Sequence, residues 1–271
     1  SGTCGKKNIG RLIKKISTLL SLGKGKGKKK FTGFITRSNQ KNLKSSYEKP
    51  DFLLSKSCQA LITLSISAMK KVKILDVAFD VCTQDEALER VDQALQASQQ
   101  PAMHIVTPNP EMLLAAEYQG DFRAVLNKAF LSIPDGIGIL WAATFQQTTR
   151  TTQKLLRLMK GLGSLARLIV QPAFVKKIFP ERIAGVDLML SICELARYRK
   201  LPLFLLGAKP GVAEKTKAEL EKLFPRITIV GTAAASPSED DFPAIRAHIA
   251  ETRPQLLFVA YGAPSQELWI A

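Results

Sequence analysis

Five short, nearly unbroken apolar runs constrain this chain more than any other feature. They are "HIV" (104–106), "FLSI" (130–133), "LPLFLLG" (201–207), "ITIVG" (227–231) and "QLLFVAYG" (255–262). Each is too short for a buried helix and too uniformly apolar for a strand with one wet face. Continuous Val/Ile/Leu strands belong to parallel sheets covered on both sides. Segments of helical period lie between them, among them "NPEMLLAAEYQGDFRAVLNKA" (with a break near Gly120), "ERIAGVDLMLSICELARYRK" and "AKPGVAEKTKAELEKLF". This alternation predicts an α/β fold: a Rossmann-like, mostly parallel sheet with helices on both faces. Upstream, Val72–Ile74 and Val77–Val81 read as two short strands around Asp76. "TQDEALERVDQALQ" reads as a helix opened by a capping box, with Thr83 as N-cap and Glu86 three residues on. Ser236 or Ser238 is the expected N-cap of the helix in "SEDDFPAIRAHIAETR".

Charge separates this body from what precedes it. The net charge is +16, but residues 1–68 hold 15 lysines and arginines against Glu48 and Asp51, a net of +13. Residues 69–271 hold 24 against 21, a net of +3. The high isoelectric point therefore belongs to a basic, low-complexity leader containing "GKGKGKKK", expected to be disordered or foreign to the protein, with Met69 as a natural start. Within the leader, Ile9, Leu12, Ile13, Ile16, Leu19 and Leu20 recur at helical spacing among basic residues, which also fits an amphipathic helix on an anionic membrane. A nucleic-acid-binding role would rest on this leader alone. No run of 18 uncharged apolar residues occurs, so no spanning helix is expected. Phe52–Ala68 comes nearest, and the charged region before it is too long for a signal peptide.

The four cysteines have no metal-ligand spacing and there are two histidines. Neither zinc nor disulfides are expected, and the protein reads as cytosolic and reduced. His104 and His248 read as structural. Glu239-x-Asp241 fits helix-dipole compensation better than a metal motif. No metal and no cofactor are expected.

In open parallel sheets, ligands bind beyond the carboxyl ends of the strands. That places Thr107, Asn109, Asp135, Gly207, Pro264 and Gln266 along one rim. Asp135 follows Ile133-Pro134 and precedes Gly136 and Gly138. A carboxylate there suits a general base, and the same pattern fits an N-cap equally well. "GAKPG", from Gly207 through Pro210 to Gly211, offers backbone amides to a phosphate at a helix start. It is neither a G-x-G-x-x-G nor a Walker loop, and a structural turn would look the same. Thr107, Asn109 and Gln266 suit sugar hydroxyls or a uracil edge, and each alone also fits a turn.

"VTPNPEMLLAA", "FLSIPDGIGILWAA", "ERIAGVDLMLSICELA", "LPLFLLGAKPGVAEK" and "FVAYGAPSQELWIA" occur in this order. Together they resemble the bacterial WecG/TagA/CpsF family of glycosyltransferases over about residues 70–271. The resemblance implies a metal-independent, inverting hexosyltransferase. Its donor would be a UDP-sugar, UDP-N-acetylmannosamine or its uronic acid, and its acceptor N-acetylglucosamine on undecaprenyl diphosphate. The product would feed teichoic acid, enterobacterial common antigen or capsule synthesis at the inner face of the cell membrane. It also implies Asp135 as base, Thr107 and Asn109 at the sugar site, and Gln266 in the final motif. Gly136 beside Asp135, and Gly262, Pro264 and Glu267 around Gln266, join the expected site. Arg182 in "ERIAG" is a candidate for the leaving diphosphate, with a structural ion pair as the alternative. Self-association is likewise implied by resemblance only.

Two departures stand out. Residues 144–180 form a basic and apolar insertion between motifs that are usually adjacent, expected as a membrane-surface element or a packed helical hairpin. The family also continues past "QELWI", so the domain over 69–271 reads as C-terminally truncated, expected to bind donor weakly and turn over poorly. A nicotinamide-dependent oxidoreductase on the same fold class lacks its glycine fingerprint.

Overall fold

The computed structural model describes residues 69–97, 102–149, 159–161, 163–164, 177–238 and 240–271. The leader, most of the insertion and Glu239 lie outside the described residues, and the expectations attached to them with it. The chain opens with an antiparallel hairpin of β1 (Lys71–Ile74) and β2 (Val77–Asp80). Its two turn residues, Leu75 and Asp76, both take positive φ, the geometry that matches a tight hairpin to strand twist. Helix α1 (Gln84–Gln96) follows, and its capping box forms in full. Thr83 Oγ1 accepts from the Glu86 N–H at 3.2 Å, while the Thr83 N–H donates to Glu86 Oε2 at 2.7 Å.

Two parallel sheets form the centre. In the first, β3 (Ile105–Val106) pairs with β4 (Leu131–Ser132), connected through α2 (Pro110–Tyr118) and α3 (Gly120–Lys128). The break expected near Gly120 falls at Gln119. Helix α4 (Ile137–Thr148) follows β4. In the second sheet, β5 (Leu203–Gly207) lies between β6 (Ile229–Ala233) and β7 (Leu256–Ala260). The flanking helices are α5 (Gly185–Arg199), α6 (Val212–Leu223), α7 (Phe242–Thr252) and α8 (Ser265–Ile270).

Side-chain alternation shows why the strands are apolar throughout. Leu203 and Leu205 pack with Cys193 and Ala196 of α5 and Leu220 of α6. Phe204 and Leu206 point the other way, against Ile245 of α7. Both faces of β5 are covered, as the sequence predicts. Leu131 and Ile133 of the β4 segment share a cluster with Leu188 and Ile192 of α5, and Leu256 and Phe258 of β7 pack on it. Each such side chain contributes about 1.5–3 kcal/mol when fully buried. Asp80 is charged yet fully buried, and it joins the hairpin to β4. Its Oδ2 accepts from the Ser132 N–H at 2.8 Å, and Lys71 Nζ and Arg90 Nη1 lie 3.5 and 3.6 Å from Oδ1. A carboxylate is tolerable there because cations and an amide replace its water.

The start of α7 differs from expectation. Its N-cap position is Asp241, without a side-chain cap, and neither Ser236 nor Ser238 takes that role. Instead the N–H and hydroxyl of Ser236 both donate to Asp241 Oδ2, at 2.9 and 2.7 Å. Pro243 in the first turn fixes the helix start several residues later than the serines suggest. These bonds hold the Asp241 carboxyl below its usual range.

Close packing in β6 gives a stability test. A Cβ on Gly231 would collide with the Phe204 ring, within 2.7 Å of Cδ2. Gly231→Ala should cost about 1–3 kcal/mol by overpacking, seen as a lower denaturation midpoint at unchanged slope. An unaltered midpoint would contradict this packing.

Candidate functional site

The parallel pairing of β3 and β4 continues past the strands and fixes the first half of the rim. The Ile133 N–H donates to Val106 O, and the Asp135 N–H to Pro108 O, both at 3.0 Å. The turn 107–109 and the turn 133–136 are thereby held side by side at the carboxyl ends of their strands. Thr107 and Asp135 are both half-buried.

The N-cap of α4 is Gly136, at φ 105°, with no side-chain cap bond. Asp135 stands one residue before it, so the alternative of Asp135 as N-cap does not hold. The positive φ of Gly136 turns the chain sharply enough to leave the carboxylate on the rim. Gly138 brings the helix close to its neighbour: a Cβ there would meet Pro110 Cγ at 3.1 Å. No acidic residue occupies the first turn of α4. Asn109 does act as an N-cap, for α2, its Oδ1 accepting from the Met112 N–H at 2.9 Å. The oxygen is spent on the helix, and the Nδ2 donors remain for a ligand.

Sequence reasoning missed Gly185. It opens α5, and a Cβ there would lie 2.9 Å from Thr107 Oγ1 and 3.4 Å from Thr107 Cβ. The bare backbone of a helix start therefore packs directly on the Thr107 side chain. The glycine in "ERIAG" was the available signal, but its partner is 78 positions away. Asp187, in the same first turn, was also passed over. Burial raises its carboxyl above the usual range, and the Arg182 guanidinium pulls the other way. Arg182 is exposed. Its electrostatic effect on Asp187 favours the structural alternative, with no ion pair between the two within 4.0 Å.

The second half of the rim lies on β5 and β7. Gly207 takes φ 93°, and a Cβ there would come within 2.8 Å of the Tyr261 ring. The Ala208 N–H donates to Ala260 O at 2.8 Å, binding the two turns together. Pro210 and Gly211 are exposed, and Gly211 is the N-cap of α6 at φ 79°. The first turn of α6 already holds Glu214, which accepts from Thr232 Oγ1 at 3.1 Å. That carboxylate makes α6 a poorer phosphate seat than α4.

Gly262 takes φ 84°, and the Ala263–Pro264 peptide is cis, with Pro264 at the N-cap of α8. The Gln266 N–H donates to Gly262 O at 2.9 Å, and its Nε2 to Glu267 Oε1 at 3.2 Å. Glu267 is buried, so it orients Gln266 rather than facing solvent. Helix α8 packs on α3. The structure thus joins Thr107, Asn109, Asp135, Gly136 and Gly185 in one group. A second group holds Gly207, Gly211, Gly262 and Gln266.

Other reactive groups are quiet. Burial pushes the Cys82 and Cys193 thiols up to about 12, which keeps them protonated. Among the described residues, no three His, Cys, Asp or Glu side chains converge as a metal cage requires.

These features define a Rossmann-like α/β protein with a polar rim at the carboxyl ends of parallel strands. The chain matches the model of the glycosyl transferase WecG/TagA/CpsF family over residues 72–167 and 166–271, and it belongs to that family. It is 30% identical over 166 residues to an N-acetylglucosaminyldiphosphoundecaprenol N-acetyl-beta-D-mannosaminyltransferase of Bacillus spizizenii, covering 61% of this chain and 52% of that protein. It is 27% identical over 200 residues to the Staphylococcus aureus (strain NCTC 8325) protein of the same name, covering 74% and 66%. The chain spans about half to two thirds of the length of these relatives.

Proposed function

We propose that this chain carries the catalytic rim of an inverting, metal-independent glycosyltransferase. It moves N-acetylmannosamine, or its uronic acid, from a UDP-sugar to N-acetylglucosamine on undecaprenyl diphosphate. The observation that carries the reading is the Asp135–Pro108 backbone bond, which sets a half-buried carboxylate beside the Thr107–Asn109 turn. The relatives' names support the sugar and the lipid-linked acceptor.

In this reading the acceptor hydroxyl oxygen attacks the anomeric carbon from the face opposite UDP. Asp135 takes the hydroxyl proton as the new C–O bond forms. The old C–O bond breaks, and its electron pair leaves on the β-phosphate of UDP. Amides at the start of α4 meet the charge that develops there, with Arg182 as the side-chain contributor. Thr107, the Asn109 amide and Gln266 hold sugar hydroxyls, and the α6 turn is a secondary phosphate contact.

The product serves teichoic acid, enterobacterial common antigen or capsule assembly. The enzyme works peripherally at the cytoplasmic face of the membrane, where such an acceptor presents its headgroup. Among the described residues no helix is long and apolar enough to cross a membrane. Calorimetric titration of UDP and of NAD tests the class: UDP should bind and NAD should not. Removing residues 1–68 should leave UDP binding intact. Preference for NAD, or loss of UDP binding with the leader, would overturn the proposal.

A further inference from the structure

The loop that leads into α5 carries Arg182, and its two ends are pinned to elements that build the rim. Phe179 is buried with Ile139, Leu140 and Ala143 of α4. Ile183 is buried with Leu131 and Ile133 of the β4 segment. Between these anchors Pro180 and Arg182 are exposed, and Glu181 is half-buried. Glu181 Oε1 accepts from the Gln84 N–H, 97 positions away, at 2.7 Å. Among the described residues, no other hydrogen bond ties residues 180–183 to the body. Without it the loop would hang between two apolar anchors, with the direction of Arg182 unfixed.

The donor is one that α1 itself leaves open. Gln84 is the first residue of that helix, and its N–H has no partner within the helix. The Thr83–Glu86 capping box satisfies the amides of Thr83 and Glu86 and leaves this one. A carboxylate also suits the positive end of a helix. Glu181 therefore commits its oxygen to α1 rather than to the adjacent Arg182. Among the described residues, Arg182 makes no ion pair within 4.0 Å. Its guanidinium is left for an anion, on a loop held at three points. Arg182 stands three residues before Gly185, which packs on Thr107, so at most about 10 Å of chain separates the two. That keeps the guanidinium in the neighbourhood of the rim.

We infer that Glu181 is a positioning residue for the transfer: its carboxylate, seated on the first amide of α1, fixes the loop that presents Arg182 to the leaving diphosphate. The inference rests on the role proposed above for Arg182. A bond that merely capped α1 would stabilise the fold and leave nucleotide binding alone, and that difference is measurable.

The test is calorimetric titration of the 271-residue chain and its variants with UDP, with melting temperatures alongside. Arg182→Gln should weaken UDP about tenfold or more, the scale of a charged hydrogen bond. Glu181→Ala should weaken it about threefold or more, the net value of one hydrogen bond. In the Arg182→Gln background it should cost nothing further, because both changes act on one contact. Gln84→Pro removes the same bond from the donor side. Proline is favoured at the first helical position, and Thr83 already has the extended backbone that a following proline requires. Its UDP affinity should match that of Glu181→Ala, and it decides the matter should Glu181→Ala fail to fold. Gln84→Ala keeps the N–H and loses only the side-chain bond to Ser191 Oγ, at 2.6 Å, so its affinity should equal the parent's. A lower melting temperature with parental UDP affinity in Glu181→Ala overturns the inference and leaves the role of Arg182 standing. Parental affinity in Arg182→Gln overturns both. Additive losses in the double variant, parental affinity in Gln84→Pro, or an equal loss in Gln84→Ala also overturn the inference.

Discussion

Asp135→Asn lowers kcat for sugar transfer by about 10²- to 10⁴-fold, the range of a positioned general base. The amide is nearly isosteric and cannot take the acceptor proton. The local fold should survive, because the backbone bond from the Asp135 N–H to Pro108 O does not depend on the side chain and the amide keeps the size and shape of the acid. UDP affinity should therefore stay close to that of the parent, and so should the melting temperature. A drop in kcat with UDP binding retained is the signature of lost chemistry. A drop in both would assign Asp135 a structural role instead, and a retained rate would remove it from the mechanism.

Gly185→Ala is the second large effect, and it acts without touching any titratable group. The added methyl would sit 2.9 Å from Thr107 Oγ1, so the threonine must move. A displacement on the order of 1 Å at a positioning group costs about 100-fold in rate. Stability should not fall in parallel, because alanine is the better helix former by roughly 0.5–1 kcal/mol. Gly120→Ala is the control: it also opens a helix, and a Cβ there meets nothing within 4 Å. Its turnover should equal that of the parent. Equal rates for Gly185→Ala and Gly120→Ala would show that the Thr107 contact is irrelevant to catalysis.

Much of the fold was legible because the signals were local. Unbroken apolar runs became parallel strands, with β5 covered on both faces and β7 left partly open at Leu257, and Thr83 with Glu86 became a capping box with both bonds present. The helix after 236 was misjudged at its start because two serines carry a cap signal that Pro243 overrides. The site was legible only as residue types. Whether Asp135 caps α4 or precedes its cap depends on the φ of Gly136, which no pattern supplies. Gly185 on Thr107 is a tertiary fact, whereas Arg182 acting on Asp187 is local and depends on how the loop enters α5. Glu214 at the start of α6 was present in the sequence. Its effect on a phosphate seat emerges only once the helix start is fixed at Val212.

The most direct test of the account is a crystal soaked with UDP. The diphosphate should lie at the start of α4, within reach of Asp135 and the Thr107–Asn109 turn. Density for the nucleotide away from the β3–β4 tip would contradict the proposed chemistry.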